Sequence, residues 1–299
     1  MSVFRDTGPQ AALLPDGKRL HLHHGPIDLI IEATGSAEDV AAAYLQARRA
    51  FETVLETLVS ELSILRTPAD AIVQAPAGPV ARRMLRAVSP HAKVFVTPMA
   101  AVAGAVADHI LSELRRGRIL RRAYVNNGGD IALFLDKGES FTVGVAASEG
   151  GLGKVTVHNG DPIRGIATSG WRGRSHSLGV ADAVTVLAEC AAAADAAATL
   201  IANAVDLPGA PAIRRVPARA LASESDLGDR LVTVEVGPLN RDEKAAALDR
   251  GAQVAQDMRR RGLIVAAHLC LQGETQTIEH VDPAGSSLRG PRAKRLVHA

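Results

Sequence analysis

Apolar positions along this chain recur with two periods, and each period predicts a kind of element. After a Gly25-Pro26 turn, residues 27–33 form an apolar run of strand length. Ser36 then stands at an N-cap position with Asp39 three residues on, which starts a helix. Val40, Tyr44, Ala47, Phe51, Val54, Leu58, Leu62 and Leu65 follow at spacings of three and four, predicting one long helix that stops before Pro68. This stripe faces a core, and its heptad-like regularity would also suit the seam of a homodimer. A second helix is expected over 80–88, a strand over 93–96 and an Ala-rich helix over 100–116.

From residue 120 the period becomes two. Strands are expected at 123–125, 131–135 and 141–146, with Asp136-Lys137-Gly138 as a tight turn. Residues 155–158 and 163–167 flank Asn159-Gly160, a hairpin signal because both turn residues tolerate positive φ. A strand at 184–188, a helix of almost no bulk at 191–205, a strand at 231–236, a helix at 241–261 and a strand at 264–271 complete the pattern. This mixture predicts an α+β fold, a mixed but largely antiparallel sheet packed with helices. One domain is expected over 1–281, and 282–299, with Pro, Gly, Ser and several basic residues, as a flexible tail.

Composition narrows the function classes. Aromatic residues make up 3% of the chain against 47% hydrophobic, so the core is aliphatic and few rings are left to stack on single-stranded nucleic acid. Arginines cluster at 82, 83 and 86, at 115–122 and at 259–261; each cluster adjoins an apolar helical pattern and reads as a solvated helix end, not a nucleic-acid site. Cys190 and Cys270 are far apart with no CxxC pair, which predicts two buried free thiols in a reducing compartment. Residues 1–17 lack the apolar stretch of a signal peptide and no stretch is long enough to span a bilayer, so the expectation is a soluble cytoplasmic protein.

Several motifs fail on inspection. Residues 148–154 lack the first glycine and the Ser/Thr of a phosphate loop, and a strand follows where a helix should. No GxGxxG follows a strand, and Thr168-Ser169-Gly170 is not a nucleophile elbow. His21, His23 and His24 could bind a metal, but an exposed polar strand end is the favoured reading.

Three segments carry chemistry. Asn126-Asn127-Gly128-Gly129-Asp130 joins two strands, and paired glycines let backbone N–H groups approach a ligand; taken alone, a simple turn is the favoured reading. Ala167-Thr168-Ser169-Gly170 leads to Arg172, Arg174 and Ser175-His176-Ser177, groups that suit a polyanionic nucleotide or a polar surface loop. Asp195 and Thr199 lie one turn apart on a helix face of small residues, half of a hard-cation site.

Taken together and in order, these segments resemble the ApbE family, the magnesium-dependent FAD:protein FMN transferases. That family carries N-x-G-G-D, then A-T-S-G, S-H-I, a V-T-V strand and A-D-A-x-x-T. Here they match residues 126–130, 167–170, Ser175-His176, Val184-Thr185-Val186 and residues 194–199. The helix from Ala100, with Ala103-Gly104 and Asp108, resembles the family's K-G-Y-x-x-D stretch; the resemblance spans about 98–206. It implies an ApbE-like fold and Mg2+ held by Asp195, Thr199 and a backbone carbonyl near Val102. It also implies an FAD pocket lined by Asn127, Gly128, Gly129 and Asp130, with Thr168, Ser169 and Gly170 opposite, and His176 as the base. The partners implied are a flavin nucleotide and a redox protein that accepts FMN on a Ser or Thr. Two departures stand out: Ala103 replaces the family lysine, and Ser177-Leu178-Gly179-Val180 replaces D-P-x-T-G. A non-catalytic flavin-binding accessory factor and a repurposed metal-dependent small-molecule enzyme are the alternatives.

Overall fold

A computed structural model describes residues 8–146 and 152–279; the tail expected at 282–299 and residues 148–151 lie outside these. Nine strands form one sheet in the order β1-β2-β3-β4-β5-β8-β9-β12-β13. They are β1 (Gln10–Leu13), β2 (Leu20–His24), β3 (Ile27–Gly35), β4 (Leu120–Asn127), β5 (Asp130–Leu135), β8 (Gly165–Ser169), β9 (Ala183–Ala188), β12 (Ala266–Leu271) and β13 (Glu274–Ile278). Every neighbouring pair is antiparallel. Two further pairs stand apart: β6 (Ser140–Ala146) with β7 (Leu152–His158), and β10 (Ile213–Pro217) with β11 (Leu231–Val236).

Alternation along the strands sends side chains to two cores. Leu29, Ile31, Val125 and Ala132 join the larger one, with α1 (Ala37–Phe51), α4 (Pro79–Val88), α5 (Val102–Arg115), α6 (Ala191–Ala204) and α8 (Arg241–Arg260). Leu133, Leu135, Ile166 and Leu187 face the other way, onto Val157, Phe141 and Val155 of the β6–β7 pair. The α+β expectation is met, with an antiparallel sheet throughout.

Four local expectations are corrected. The long helix at 40–65 is three: α1, α2 (Val54–Ser60) and α3 (Leu62–Leu65), interrupted where Thr53 and Glu61 take φ near −110° with ψ near 0°. Glu61 turns away because its carboxylate accepts the amides of Ala77 and Gly78 at the start of α4. The apolar stripe survives the breaks and is spent on the chain's own core, with Phe51, Val54, Leu58 and Leu65 all buried; it is not a free dimer seam.

Residues 93–96 are not a strand: they follow a short 3-10 turn, Ser89–His91, and Val96 accepts the Ala69 amide outside any ladder. Asn159-Gly160 does turn, but it joins two different sheets, since β7 pairs with β6 and β8 with β5 and β9. Asn159 Nδ2 instead donates to the Leu135 carbonyl. The histidine row is not uniformly exposed, because β2 alternates: His21 and His23 share a face with Asp28, whereas His24 is 3% exposed. β1, β2, β10 and β13 were not expected. Both cysteines are free, Cys270 buried and Cys190 half-buried.

Candidate functional site

α5 and α6 cross at their N-terminal turns, and each lends the other an aspartate. Asp108 of α5 accepts the Ala191 and Ala192 amides of α6 at 3.0 and 2.9 Å. Asp195 of α6 accepts the Gly104 amide of α5 at 3.0 Å. The first amides of a helix have no partner within it, so each carboxylate supplies a cap that its partner's own N-cap residue, Cys190 or Ala101, does not. Only a glycine at 104 permits this crossing, because a Cβ there would collide with the Ala191 carbonyl. The small residues on α6 are what let the helices approach.

Asp195 has a second neighbour. Asp130 opens β5, where its Oδ1 accepts the Thr168 amide at 3.3 Å. Burial raises the Asp130 carboxyl above its ordinary range, against the pull of that amide and of Arg174. Asp195 is raised by burial first and then by the charge of Asp130, against the Gly104 and Ala103 amides. Two carboxyls that sense each other's charge disfavour each other's ionisation. Thr199, half-buried, lies one turn beyond Asp195 on the same helix face. Val102 is the first residue of the helix whose amides Asp195 receives.

The Asn-Gly-Gly-Asp segment is the two-residue connection from β4 to β5, across which Asn127 pairs with Asp130. Gly128 and Gly129 have φ of 64° and 115°, conformations in which a side chain would be strained. Asn127 is buried and its Nδ2 donates to the Ala103 carbonyl at 3.1 Å, tying the turn to the start of α5. Arg174 lies where a Gly128 side chain would stand. Its loop neighbour Arg172 is spent elsewhere, bonded to Asp182 at 2.9 Å and stacked over Trp171.

Of the residues expected from sequence, Asn127, Gly128, Gly129, Asp130, Asp195 and Val102 therefore lie about the α5 N-terminus, and Thr199 is one turn farther along α6. Thr168 joins through its amide only, for its hydroxyl pairs with Thr185 on the sheet's other face at 2.8 Å. Ser169 and Gly170 follow it, and a side chain at 170 would collide with the Asp182 carbonyl.

His176 is not drawn in. It is exposed, and the adjacent Ser177 is anchored by Asn203, whose side chain accepts Ser177 Oγ and the Leu178 amide. Asn203 lies eight residues past Asp195, about 12 Å along α6. Sequence reasoning missed the influence of Asp130 on Asp195 and the capping role of Asp108. The acid in the middle of α5 was visible, but nothing local says that it caps another helix.

The antiparallel sheet with helices on one face, and a carboxylate pair beside a glycine turn and a helix N-terminus, define an α+β protein with an oxygen-rich polar site. A family model described as "AbpE bacteria" matches residues 11–277, and the chain belongs to that family. A UPF0280 protein of Methanothermobacter thermautotrophicus is 42% identical over 135 residues, 44% of this chain and 50% of the relative. Another, from Methanopyrus kandleri, is 32% identical over 219 residues, 72% of this chain and 71% of the relative. The match thus spans about half the length of the first relative. Among solved structures, the apo flavinyl transferase ApbE of Pseudomonas stutzeri is similar with a TM-score of 0.37 and 14% identity, covering 93% of this chain and 96% of that one.

Proposed function

We propose that this protein binds a flavin dinucleotide with Mg2+ at the Asp130–Asp195 site and transfers FMN to a Ser or Thr hydroxyl of a partner protein. The observation that carries this reading is that Asp195, at the N-terminus of α5, lies near enough to Asp130 for the two carboxyls to disfavour each other's ionisation. Family membership and the order of the motifs agree with it.

The donor set suits a hard cation. Two carboxyls that disfavour each other's ionisation, both pushed toward the neutral form, gain from a divalent ion nearby. Among the described residues no group of three or more His, Cys, Asp and Glu is placed for a metal, so the remaining donors would be neutral oxygens: the Thr199 hydroxyl and the carbonyl near Val102. Bound there, Mg2+ would neutralise the pyrophosphate and stabilise charge on the leaving phosphate.

The chain's own groups do the rest. Gly128 and Gly129 allow close approach of the ligand, and Arg174 offers its guanidinium to a phosphate oxygen. The acceptor hydroxyl oxygen forms a bond to the FMN phosphorus, the pyrophosphate bond breaks, and AMP leaves with the bonding pair. His176 takes the hydroxyl proton; an exposed loop suits a base that must meet an incoming protein.

A second reading, a flavin-binding accessory factor without transfer, draws on two observations. The Asp195 carboxylate already holds the α5 amides, and His176 stands away from the carboxylate pair. FAD titration calorimetry, with Mg2+ and with EDTA, tests both readings. Micromolar binding, about −8 kcal/mol, should weaken without Mg2+ or in Asp195→Ala; AMP release on adding an acceptor then separates transfer from binding alone. Absence of FAD binding under every condition would remove both.

A further inference from the structure

A recess of about 580 Å3 opens at the opposite ends of the central strands, lined by Asp161, Arg164, Glu189, Arg259 and the run Leu263–Ile264–Val265. β8 separates the two places: Gly165 follows the recess-lining Arg164, and Thr168, whose amide meets Asp130, lies three residues on, about 10 Å away at strand rise. Its volume falls within the usual range for a small-molecule site, and no residue of the proposed flavin site lines it.

The walls are fixed. The Arg164 guanidinium is spent on three carbonyls of its own loop, those of Asn159, Asp161 and Ile163, at 2.6–2.7 Å. Its backbone bonds to Leu133 and Ala188, and Val265 bonds to Leu187, so both rims continue the sheet. Asp161 is also spent, accepting the His158 amide at 2.7 Å.

Arg259 is different. Its Nε is buried and has no hydrogen-bond partner. The same side chain also lines a second recess of about 500 Å3 with Gln256, Arg260 and Thr277. Among the described residues the rest of its side chain has no hydrogen-bond or ion-pair partner either, and a planar oxoanion is the natural partner of an unpaired guanidinium, met at the terminal nitrogens because Nε is closed off. Leu263, Ile264, Val265 and Pro162 supply apolar surface beside it. Glu189, exposed on the rim, disfavours a second negative charge and would accept a donor.

From these features we infer that the recess is a second ligand site, for a small organic anion whose carboxylate or phosphate meets Arg259 and whose apolar body rests on residues 263–265. The inference does not depend on flavin binding. Isothermal titration of the full chain with phenyl phosphate and with benzoate tests it, with inorganic phosphate as control. The expected result is saturable binding of at least one organic anion, roughly tenfold weaker in Arg259→Gln and unchanged in Asp195→Ala. Arg259→Lys should retain part of the affinity. Thermal melts without ligand check that the variants fold.

Failure of both organic anions to bind, equal binding by Arg259→Gln, or inorganic phosphate binding as tightly as phenyl phosphate would each overturn the proposal. FAD binding by the same samples reports separately on the other site.

Discussion

Asp108 and Asp195 occupy nearly symmetric positions, each inside one helix and each capping the N-terminus of the other. Their surroundings differ. Asp108 gives both oxygens to two amides and also bonds to the Cys190 thiol, so its raised pKa reflects burial among satisfied contacts. Asp195 is likewise held by amides, those of Gly104 and Ala103, but it also feels the charge of a second carboxyl, Asp130. The first arrangement closes on itself and holds the helices together. The second sets two carboxyls against each other's ionisation, with only the Arg174 guanidinium acting the other way on Asp130, and that asymmetry separates a structural aspartate from one suited to a ligand.

Substitutions can break this comparison, beginning with the crossing itself. Gly104→Ala should cost about 3 kcal/mol or more, since the new methyl meets the Ala191 carbonyl and the helices must part; urea unfolding measures it. Asp108→Ala should cost about 2–3 kcal/mol, leaving two buried amides unpaired. A result near zero would show that water replaces the cap.

Acid should act at the Asp108 end as well. His91, lining a recess with Asp108, has its pKa lowered from 6.5 to about 4 by burial and then by Arg261. The unfolded chain therefore binds the proton more readily, and stability falls as pH drops from about 6.5 toward 4, by roughly 2 kcal/mol. His91→Phe should flatten that slope in melts across the range, provided the ring fits the space.

The smallest stability change is expected at the other cap. Asp195→Asn keeps an acceptor for Gly104 and removes the charge facing Asp130, so stability should stay within about 1 kcal/mol of the original, or rise. FAD affinity should nonetheless fall. A large stability loss with FAD binding intact would make Asp195 a second Asp108 and dissolve the distinction.

Much of this was legible in the chain. The 3.6-residue stripe of Ala47, Phe51, Val54 and Leu58 marked a core face, although not the breaks, because those arise from Glu61 reaching Ala77 and Gly78. Asn159-Gly160 signalled a turn correctly but a hairpin wrongly. Turn chemistry is local, whereas β8 chooses its partners by packing Ile166 and Leu187 into one core. Strands β1, β2, β10 and β13 were missed because their short runs alternate with polar residues or stand at edges.

For the site, residue types and their order were enough to nominate Asn127–Asp130, Thr168–Gly170, Asp195 and Thr199, since close backbone approach, hydroxyl donors and an i, i+4 carboxylate–hydroxyl pair are properties of short segments. Segments separated by tens of residues meet only through the sheet and the helix crossing. Hence the tertiary structure alone decided that Asp130 comes near enough to act on Asp195, that Thr168 contributes its amide and turns its hydroxyl away, that Arg174 rather than Arg172 reaches the glycine turn, and that His176 is exposed. Burial and charge depend on what the rest of the chain brings near a group, and no local pattern carries that information.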